Sequence, residues 1–248
     1  SERKSVADQV KAGIDVLSAR YRARKFIAYF QAFTNTYAPP DRLKALYDEA
    51  LAVEDVIGLS IGTRPDCVPH DVLDLIASYL PRLDELWLEY GLQSIHPQTL
   101  DLVNRAHHVE EFVDAVRRTR ARGIKICVHV ILGLPGETPE MMFETADALS
   151  RLPIDGLKLH HLYVAKGAPL ADAYARGDLE TLSASRYADL ASRFLERIPS
   201  SVTIQRLVGD VSGDLLIAPR WPEPKQRVLA MITDALRSRD SCQGKLLE

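Results

Sequence analysis

The chain has 248 residues, and 31 Lys and Arg stand against 34 Asp and Glu, so its formal net charge is −3. This length suits one large domain or two small ones, and the low charge with 46% hydrophobic residues excludes a disordered chain. No apolar run reaches the roughly 18 residues of a membrane helix, and residues 1–8 lack the apolar core of a signal peptide. We therefore expect a cytoplasmic protein with no membrane partner.

The first segment has the pattern of an amphipathic helix. Val6, Val10, Ile14 and Leu17 recur at spacings of three and four residues. A βα repeat normally begins with a strand, so we expect a preceding strand and its loop to be missing from this chain. The strand that follows the helix would then keep one unpaired edge.

Five short runs rich in β-branched and aromatic residues follow, each with a helical pattern after it. Their starts lie about 30 to 40 residues apart, which is the length of a βα unit. Their near-continuous apolar character is typical of parallel strands covered on both faces. The predicted strands are residues 25–33, 55–62, 84–91, 124–132 and 156–164.

Capping signals mark the helices between these strands. Pro40 and Pro69 stand near two helix starts, Gly123 ends a helix that begins at Val109, and Thr138 caps another. Beyond residue 164 the pattern loosens into a turn, a helix at 183–197, a strand at 201–208 and a helix at 222–239. We predict an α/β fold with a barrel-like domain over residues 1–180 and a C-terminal extension over 181–248.

The ends of the predicted strands are unusually polar. In parallel α/β folds the loops after the strands converge, so these residues face a common mouth. The strand-end residues include Gln31, Thr34, Asn35, Ser60, Thr63, Arg64, Glu89, Gln93, His129, His160, His161, Tyr163 and Lys166. We expect any binding or catalytic site to be built from this set.

Two strings at strand ends suggest a nucleoside ligand. The glycines in ILGLPGE (residues 131–137) let main-chain groups approach a flat ligand, although a plain strand-to-helix turn explains the same string equally well. Glu89 and Gln93 offer acceptor and donor groups for ribose hydroxyls or an amino-acid head group. Each of the two, taken alone, is more often a solvated acid or a loop amide.

Several motifs in a fixed order resemble the radical S-adenosylmethionine (SAM) superfamily. EYGLQS, Arg105 twelve residues after Gln93, and HVILGLPGET resemble segments of oxygen-independent coproporphyrinogen oxidases and of the Elongator catalytic subunit. FIAYFQAFTNTYAP, GLSIGTRPDC, LYVAKGAPLA, DLLIAPRWP and QGK resemble strings of the bacterial YhcC/YtqA-like proteins. The resemblance extends from about Ser5 to Lys245.

The resemblance implies a partial (β/α)6 TIM-like barrel of the radical SAM type that lacks its first strand. In that family a [4Fe-4S] cluster binds SAM and cleaves it reductively to a 5′-deoxyadenosyl radical, which abstracts hydrogen from a substrate. An electron donor such as flavodoxin or ferredoxin is implied as a partner. The substrate stays open between a small molecule and a tRNA base, and the catalytic residues stay unknown.

The resemblance also implies which residues contact SAM. Gln93 and Arg105 match the polar pair that contacts the ribose and the methionyl carboxylate, and His129 matches a ribose-binding position. Ile131 and Gly133 match contacts to adenine. Thr34 matches the contact to the methionyl amino group, although residues 31–33 replace the glycines of the family. Gly62 stands where the porphyrinogen oxidases have an acid, so Arg64 is the candidate for that role. The other implied cofactor-binding residues are Ser60, the strand-end acid Glu89, and Tyr163 and Ala165 beside adenine.

The family's CxxxCxxC cluster motif is absent. Cys67, Cys127 and Cys242 lie far apart in the sequence, whereas the motif supplies three thiolates from one short loop. We therefore predict no metal ligands in this chain and expect the cluster cysteines upstream of Ser1. The fragment alone would be inactive, as a truncated radical SAM enzyme.

Two alternatives remain open. A metal-dependent hydrolase on a TIM-like barrel would use His129, His160 and His161, although consecutive strand residues point to opposite faces, so His160 and His161 cannot both line a barrel. A non-catalytic SAM-binding or RNA-binding module is the second. It is suggested by the basic run over residues 117–125, a pattern that is more often a solvated helix face.

Overall fold

Helices and strands alternate through most of the chain in this computed structural model, which describes residues 4–31, 33–209 and 213–247. The helices are α1 (Val6–Tyr21), α2 (Pro40–Leu51), α3 (His70–Ala77), α4 (Pro97–Leu102), α5 (Val109–Arg120), α6 (Pro139–Ser150), α7 (Pro169–Ala175), α8 (Ala184–Leu195) and α9 (Lys225–Ser238). The strands are β1 (Phe26–Phe30), β2 (Val56–Thr63), β3 (Glu85–Gln93), β4 (Lys125–Leu132), β5 (Gly156–His161), β6 (Val164–Ala165), β7 (Thr203–Arg206) and β8 (Leu216–Ala218).

One six-stranded sheet follows the order β1-β2-β3-β4-β5-β7, so neighbouring strands are mostly consecutive in the sequence. The β1–β2, β2–β3 and β5–β7 pairs are parallel, as the βα repeat predicted. β1 is the first strand of the sheet, and among the described residues it pairs with β2 alone. The predicted unpaired edge of this strand is therefore confirmed.

Helix starts and ends follow the capping residues seen in the sequence. The Thr138 side chain accepts a hydrogen bond from the Met141 backbone N–H at the start of α6, and Pro139 occupies the first turn. Gly123 has φ +76° just after α5, a conformation that favours glycine. None of the described helices combines the length and apolar character that a membrane crossing needs.

The chain divides into two compact units, which are described separately below. Unit 1 contains Ser1–Gly91 and Glu111–Cys127, and unit 2 contains Leu92–Glu110 and Val128–Glu248. In unit 1, Leu59 and Ile61 of β2 are fully buried, as is Leu88 of β3. In unit 2, Leu134, Leu162, Val164, Leu179 and Ala218 form a buried apolar cluster.

The last predicted strand differs from the structure. Residues 156–164 were predicted as one strand, whereas β5 ends at His161 and Val164–Ala165 form the separate strand β6. β6 pairs antiparallel with β8, with Val164 opposite Ala218. β8 has only three residues, which is too short to produce a recognisable alternation, so the sequence did not reveal this second sheet.

Candidate functional site

Glu89 lies buried in β3 of unit 1, with two hydroxyl groups donating to it. Tyr29 Oη of β1 donates to Glu89 Oε2 over 2.8 Å, and Ser60 Oγ of β2 donates to Oε1. The side chain is only 2% exposed, so the interpretation of Glu89 as a solvated acid is wrong. Three adjacent parallel strands thus bring Ser60 and Glu89, both predicted site residues, into direct contact.

We expect Tyr29→Phe to lower the free energy of unfolding by about 1–3 kcal/mol, because it removes one donor from a buried carboxyl group. Urea denaturation of the wild type and the variant measures this difference. Tyr37→Phe is the matched control, since Tyr37 is 82% exposed in the same unit. Equal losses in the two variants would contradict the role given to the Tyr29 hydroxyl.

The loop after β1 is tied to the end of β2. Asn35 Nδ2 donates to the carbonyl oxygens of Phe30 at 3.0 Å and Gly62 at 2.9 Å, which fixes the loop that carries Thr34. Of the family glycine positions at residues 31–33, Ala32 lies outside the described residues. The proposed contact between Thr34 and the methionyl amino group stays a prediction.

Arg64 is engaged within its own loop. Its Nε donates to Asp66 Oδ1 over 2.9 Å and its second nitrogen donates to Asp66 Oδ2, so the carboxylate accepts from both arms of the guanidinium. The hydrogen bond with Asp66 raises the pKa of the Arg64 guanidinium above its usual value. A ligand that contacts Arg64 would therefore share the guanidinium with Asp66.

Gln93 occupies an unusual backbone conformation at the end of β3. Its φ is +73°, in the left-handed region, and its side chain is half-buried in unit 2. The next residue, Ser94, is 1% exposed and donates through Oγ to Glu137 Oε1, while its Oγ accepts from the His96 N–H at 3.1 Å. Burial raises the pKa of Glu137. The Gln93 turn is therefore joined to the ILGLPGE segment, which ends at Glu137.

Gly133 follows β4 with φ +82°. A Cβ atom at this position would stand 2.8 Å from Leu182 Cδ1 and 2.9 Å from its Cγ. The space beside Gly133 is thus filled by a leucine of the same unit, a packing contact 49 positions away in the sequence. Gly133 is required by its backbone conformation and by this contact.

Apolar packing brings further predicted residues of unit 2 together. Two residues pack against the apolar cluster of unit 2. Ile131 stands two residues before Gly133, and Val103 stands two residues before Arg105. Val164, a member of that cluster, lies between Tyr163 and Ala165, and the Leu162 N–H donates to the Leu132 carbonyl over 2.9 Å. These chain segments therefore meet at one apolar cluster, as expected for strand ends that share a mouth.

The histidines at the ends of β4 and β5 separate onto different faces. The His129 and His160 rings stack with centroids 5.9 Å apart, whereas His161 lies 4.2 Å from the Trp221 ring and 5.4 Å from the Tyr187 ring. The prediction that His160 and His161 point to opposite faces is confirmed. The three imidazoles that a zinc hydrolase would need therefore do not converge.

Two adjacent histidines before α5 differ in burial. His107 is 1% exposed, whereas His108 is exposed. A pair of polar residues before a helix gives no signal for which of them turns inward.

The cysteines do not form a cluster site. Cys67 is half-buried, Cys127 is buried in β4 and Cys242 is exposed, and no group of three cysteine sulfurs lies close together among the described residues. Burial raises the pKa of the Cys67 thiol, which disfavours the thiolate that iron requires. The residues of this chain therefore do not fit a [4Fe-4S] cluster.

Two family models match this chain. The model described as the radical SAM superfamily matches residues 2–149, and that of the radical SAM C-terminal domain matches residues 154–238. The chain belongs to the radical SAM superfamily. The predicted resemblance to this family is thereby confirmed, while the boundary placed after residue 180 stays a prediction.

Curated relatives cover most of the chain. YtqA of Bacillus subtilis is 44% identical over 232 residues, which are 92% of this chain and 71% of that protein. YhcC of Escherichia coli is 36% identical over 90% of this chain and 71% of its own length. A tRNA uridine(34) acetyltransferase of Methanocaldococcus infernus is 26% identical over 65% of this chain and 30% of its own length.

Two solved structures superpose on most of this chain. Elp3 of Methanocaldococcus infernus with an N-terminal deletion superposes with a TM-score of 0.82 at 18% identity, covering 96% of this chain and 60% of that one. Coproporphyrinogen III oxidase of Escherichia coli, a radical SAM enzyme, superposes with a TM-score of 0.50 at 18% identity, covering 97% and 47%. The predicted α/β fold of the TIM-like radical SAM type is confirmed.

Proposed function

We propose that unit 2 of this superfamily member binds SAM through Gln93, Arg105 and the segment from Ile131 to Gly133. The observation that carries this proposal is the Ser94–Glu137 hydrogen bond, which holds the Gln93 turn against the end of the ILGLPGE segment. Packing of Val103 and Ile131 on one apolar cluster brings the Arg105 segment to the same place.

The polar and apolar groups of these residues match the chemical groups of SAM. The Arg105 guanidinium matches the methionyl carboxylate, the Gln93 amide and the His129 imidazole match ribose hydroxyls, and Ile131 matches the adenine face. Tyr163 is 40% exposed beside the cluster residue Val164, so its ring can reach a ligand. Ala165 is half-buried on the other side of Val164.

We propose that the cluster is carried by a part of the longer protein that this sequence does not include. In unit 1, an apolar cleft of about 630 Å³ lies between α1 and the free edge of β1. It is lined by apolar residues of α1, which has no buried residue, and by Ile27, which is 42% exposed. An added strand would cover this surface, and its loop would supply three cysteines. When bound, the cluster supplies the electron for reductive SAM cleavage.

The substrate proposal follows from the names of relatives. Relatives at 24–29% identity are tRNA uridine(34) acetyltransferases. We propose a tRNA base as the substrate, with a small molecule as the other candidate, flavodoxin or ferredoxin as the electron donor, and the cytoplasm as the location. Transfer RNA that binds with an affinity falling steeply with salt supports this choice, and salt-insensitive or absent binding argues against it.

The SAM site is tested by substitution in the longer, cluster-loaded protein. We expect Gln93→Ala and Arg105→Ala each to weaken SAM binding by about 1–3 kcal/mol, because each removes a polar partner from a buried ligand group. This corresponds to an increase in Kd of about 5- to 150-fold. Equilibrium binding of SAM measures it directly.

Controls separate this effect from a general loss of structure. Arg237→Ala removes an exposed arginine from α9 of the same unit and should leave SAM affinity unchanged. Cys127→Ala should leave cluster loading intact, because that thiol is buried in β4. Anaerobic reconstitution with SAM and dithionite should release 5′-deoxyadenosine. Unchanged SAM affinity in both polar variants, or no 5′-deoxyadenosine from the wild type, would refute the proposed function.

A further inference from the structure

The connection between α1 and β1 in unit 1 carries a concentrated positive charge. Residues 20–25 read RYRARK, with basic side chains at four positions and no acidic one, whereas the whole chain has a net charge of −3. The basic residues are all exposed, namely Arg20, Arg22, Arg24 and Lys25. A dense cluster of exposed cations on one short segment is typical of a surface that binds a polyanion.

The three arginines of this segment are not neutralised by carboxylates. Among the described residues, no Asp or Glu forms an ion pair with Arg20, Arg22 or Arg24. Lys25 does have such a partner, since its Nζ lies 3.7 Å from Asp84 Oδ2, and both side chains of that pair are mostly exposed. The charge available to a ligand is therefore that of the arginines.

The other basic run of unit 1, over residues 117–125 in and after α5, differs in this respect. Arg118 Nε donates to Asp114 Oδ2 over 2.6 Å, and Arg122 Nε donates to Asp74 Oδ1 over 2.7 Å. Carboxylates thus already occupy two of the arginines in that run. The segment before β1 is the stronger candidate for a polyanion surface.

Hydrogen bonds hold the backbone at both ends of the segment. Arg22 follows the last turn of α1 with φ +55°, and its N–H donates to the Ser18 carbonyl oxygen over 2.9 Å. The Phe26 N–H donates to the Asp55 carbonyl oxygen, also over 2.9 Å. A ligand would therefore meet arginines on an ordered backbone, which lowers the entropic cost of binding.

An exposed aromatic ring stands among these cations. Tyr21 is 62% exposed, and the Arg20 guanidinium carbon lies 5.2 Å from the centroid of its ring. Unpaired RNA bases stack on aromatic rings and on guanidinium planes, while phosphate oxygens accept hydrogen bonds from arginine. A ring beside unpaired arginines thus matches both parts of a single-stranded nucleotide.

The surroundings of the segment disfavour a membrane as its partner. A membrane-surface helix needs a broad apolar face that is open to lipid, whereas Val10, Ile14 and Leu17 of α1 line the cleft beside β1. Among the described residues that line this cleft, none belongs to residues 20–25. A strand that covers the cleft would therefore leave the segment accessible.

We propose that Arg20, Arg22 and Arg24 bind phosphates of an RNA substrate and that Tyr21 stacks on one of its unpaired bases. This inference rests on the proposed function, in which a tRNA base is the substrate. It adds the surface that holds the RNA. Because this surface consists of unit 1 residues and the proposed SAM site of unit 2 residues, its variants should keep the wild-type affinity for SAM.

A tRNA transcript with a fluorescent label is the probe, and its binding to the longer, cluster-loaded protein is measured by anisotropy at several salt concentrations. The triple variant Arg20→Gln, Arg22→Gln, Arg24→Gln should raise the Kd for tRNA by about tenfold or more. The slope of log Kd against log salt should fall by about 2 to 3, because each lost phosphate contact releases about one counterion fewer.

A second triple variant is the matched control, since it changes the net charge by the same amount. Arg176→Gln, Arg227→Gln, Arg237→Gln removes three exposed arginines of unit 2 and should keep the wild-type Kd and slope. Tyr21→Ala should raise the Kd by about fivefold or more without changing the slope, because stacking releases no counterions. Tyr21→Phe should restore wild-type binding.

Three results would overturn the proposal. The first is a wild-type Kd and slope in the unit 1 triple variant, and the second is an equal loss in the unit 2 triple variant, which would make net charge the cause. The third is tighter binding of phosphatidylserine vesicles than of tRNA, which would assign the surface to a membrane.

SAM affinity of the same proteins separates this inference from the proposed SAM site. If the wild type binds SAM but no tRNA, the RNA surface and the tRNA substrate are both wrong, while the SAM site stands. If the wild type binds tRNA through this surface but does not bind SAM, the SAM site is wrong and the RNA surface stands. A loss of SAM affinity in the unit 1 triple variant would show that the arginines act on the structure, which contradicts the proposal.

Discussion

Gly133→Ala is expected to lower the free energy of unfolding by about 2–5 kcal/mol. A residue with a Cβ in the left-handed region loses about 1–2 kcal/mol relative to glycine, and Gly133 has φ +82°. The new methyl group would also stand 2.8 Å from Leu182 Cδ1, and overpacking of this kind costs about 1–3 kcal/mol. Urea denaturation followed by circular dichroism measures the total.

Gly136→Ala provides a matched control three residues away. Gly136 has nearly the same φ, +81°, but no atom lies within 4 Å of a Cβ built there. This variant should show only the backbone part, about 1–2 kcal/mol. Replacing Leu182 by Ala in the Gly133→Ala background should recover part of the loss. Equal losses for the two glycine variants would show that the contact with Leu182 has no energetic weight.

A second large effect is expected from pH, through His160. Burial first, and then the neighbouring basic groups, lower the pKa of His160 from 6.5 to about 3. The unfolded chain therefore binds a proton at a pH where the folded chain does not. The stability that His160 contributes is complete above pH 6.5 and declines as pH falls towards 3. Between pH 7 and pH 4 this amounts to about 3 kcal/mol.

His160→Gln should therefore weaken the dependence of the free energy of unfolding on pH below pH 7. The variant is expected to lose about 3 kcal/mol less than the wild type between pH 7 and pH 4, whatever its stability at pH 7. Denaturant titrations at several pH values give this slope. His108→Gln, at an exposed position, should keep the wild-type slope. A wild-type slope in His160→Gln would mean that other groups govern acid unfolding.

The regular part of the fold follows from local sequence patterns. The apolar runs, the three- and four-residue spacing of α1, and the cap at Thr138 each depend on residues within one or two turns of one another. Such local signals predict an element without knowledge of what it packs against. β6 and β8 escaped prediction because two and three residues are too few to show a period.

For the candidate site, the sequence suggests residue types but not the contacts that support them. Gln93 and Glu89 were chosen as candidates because of their places at strand ends. The burial of Glu89 by Tyr29 and Ser60, the bond between Ser94 and Glu137, and the packing of Leu182 on Gly133 join residues 29 to 60 positions apart. Sequence spacing carries no signal for contacts of this kind, so they became visible only in three dimensions.

The left-handed backbone of Gln93 makes glycine the residue that best suits the backbone at this position. Considered for folding stability alone, glycine is favoured there, since it removes backbone strain of about 1 kcal/mol. A designed Gln93→Gly chain should thus be at least as stable as the parent while lacking the amide. If Gln93 contacts SAM as proposed, its side chain gives up some folding stability in exchange for recognition.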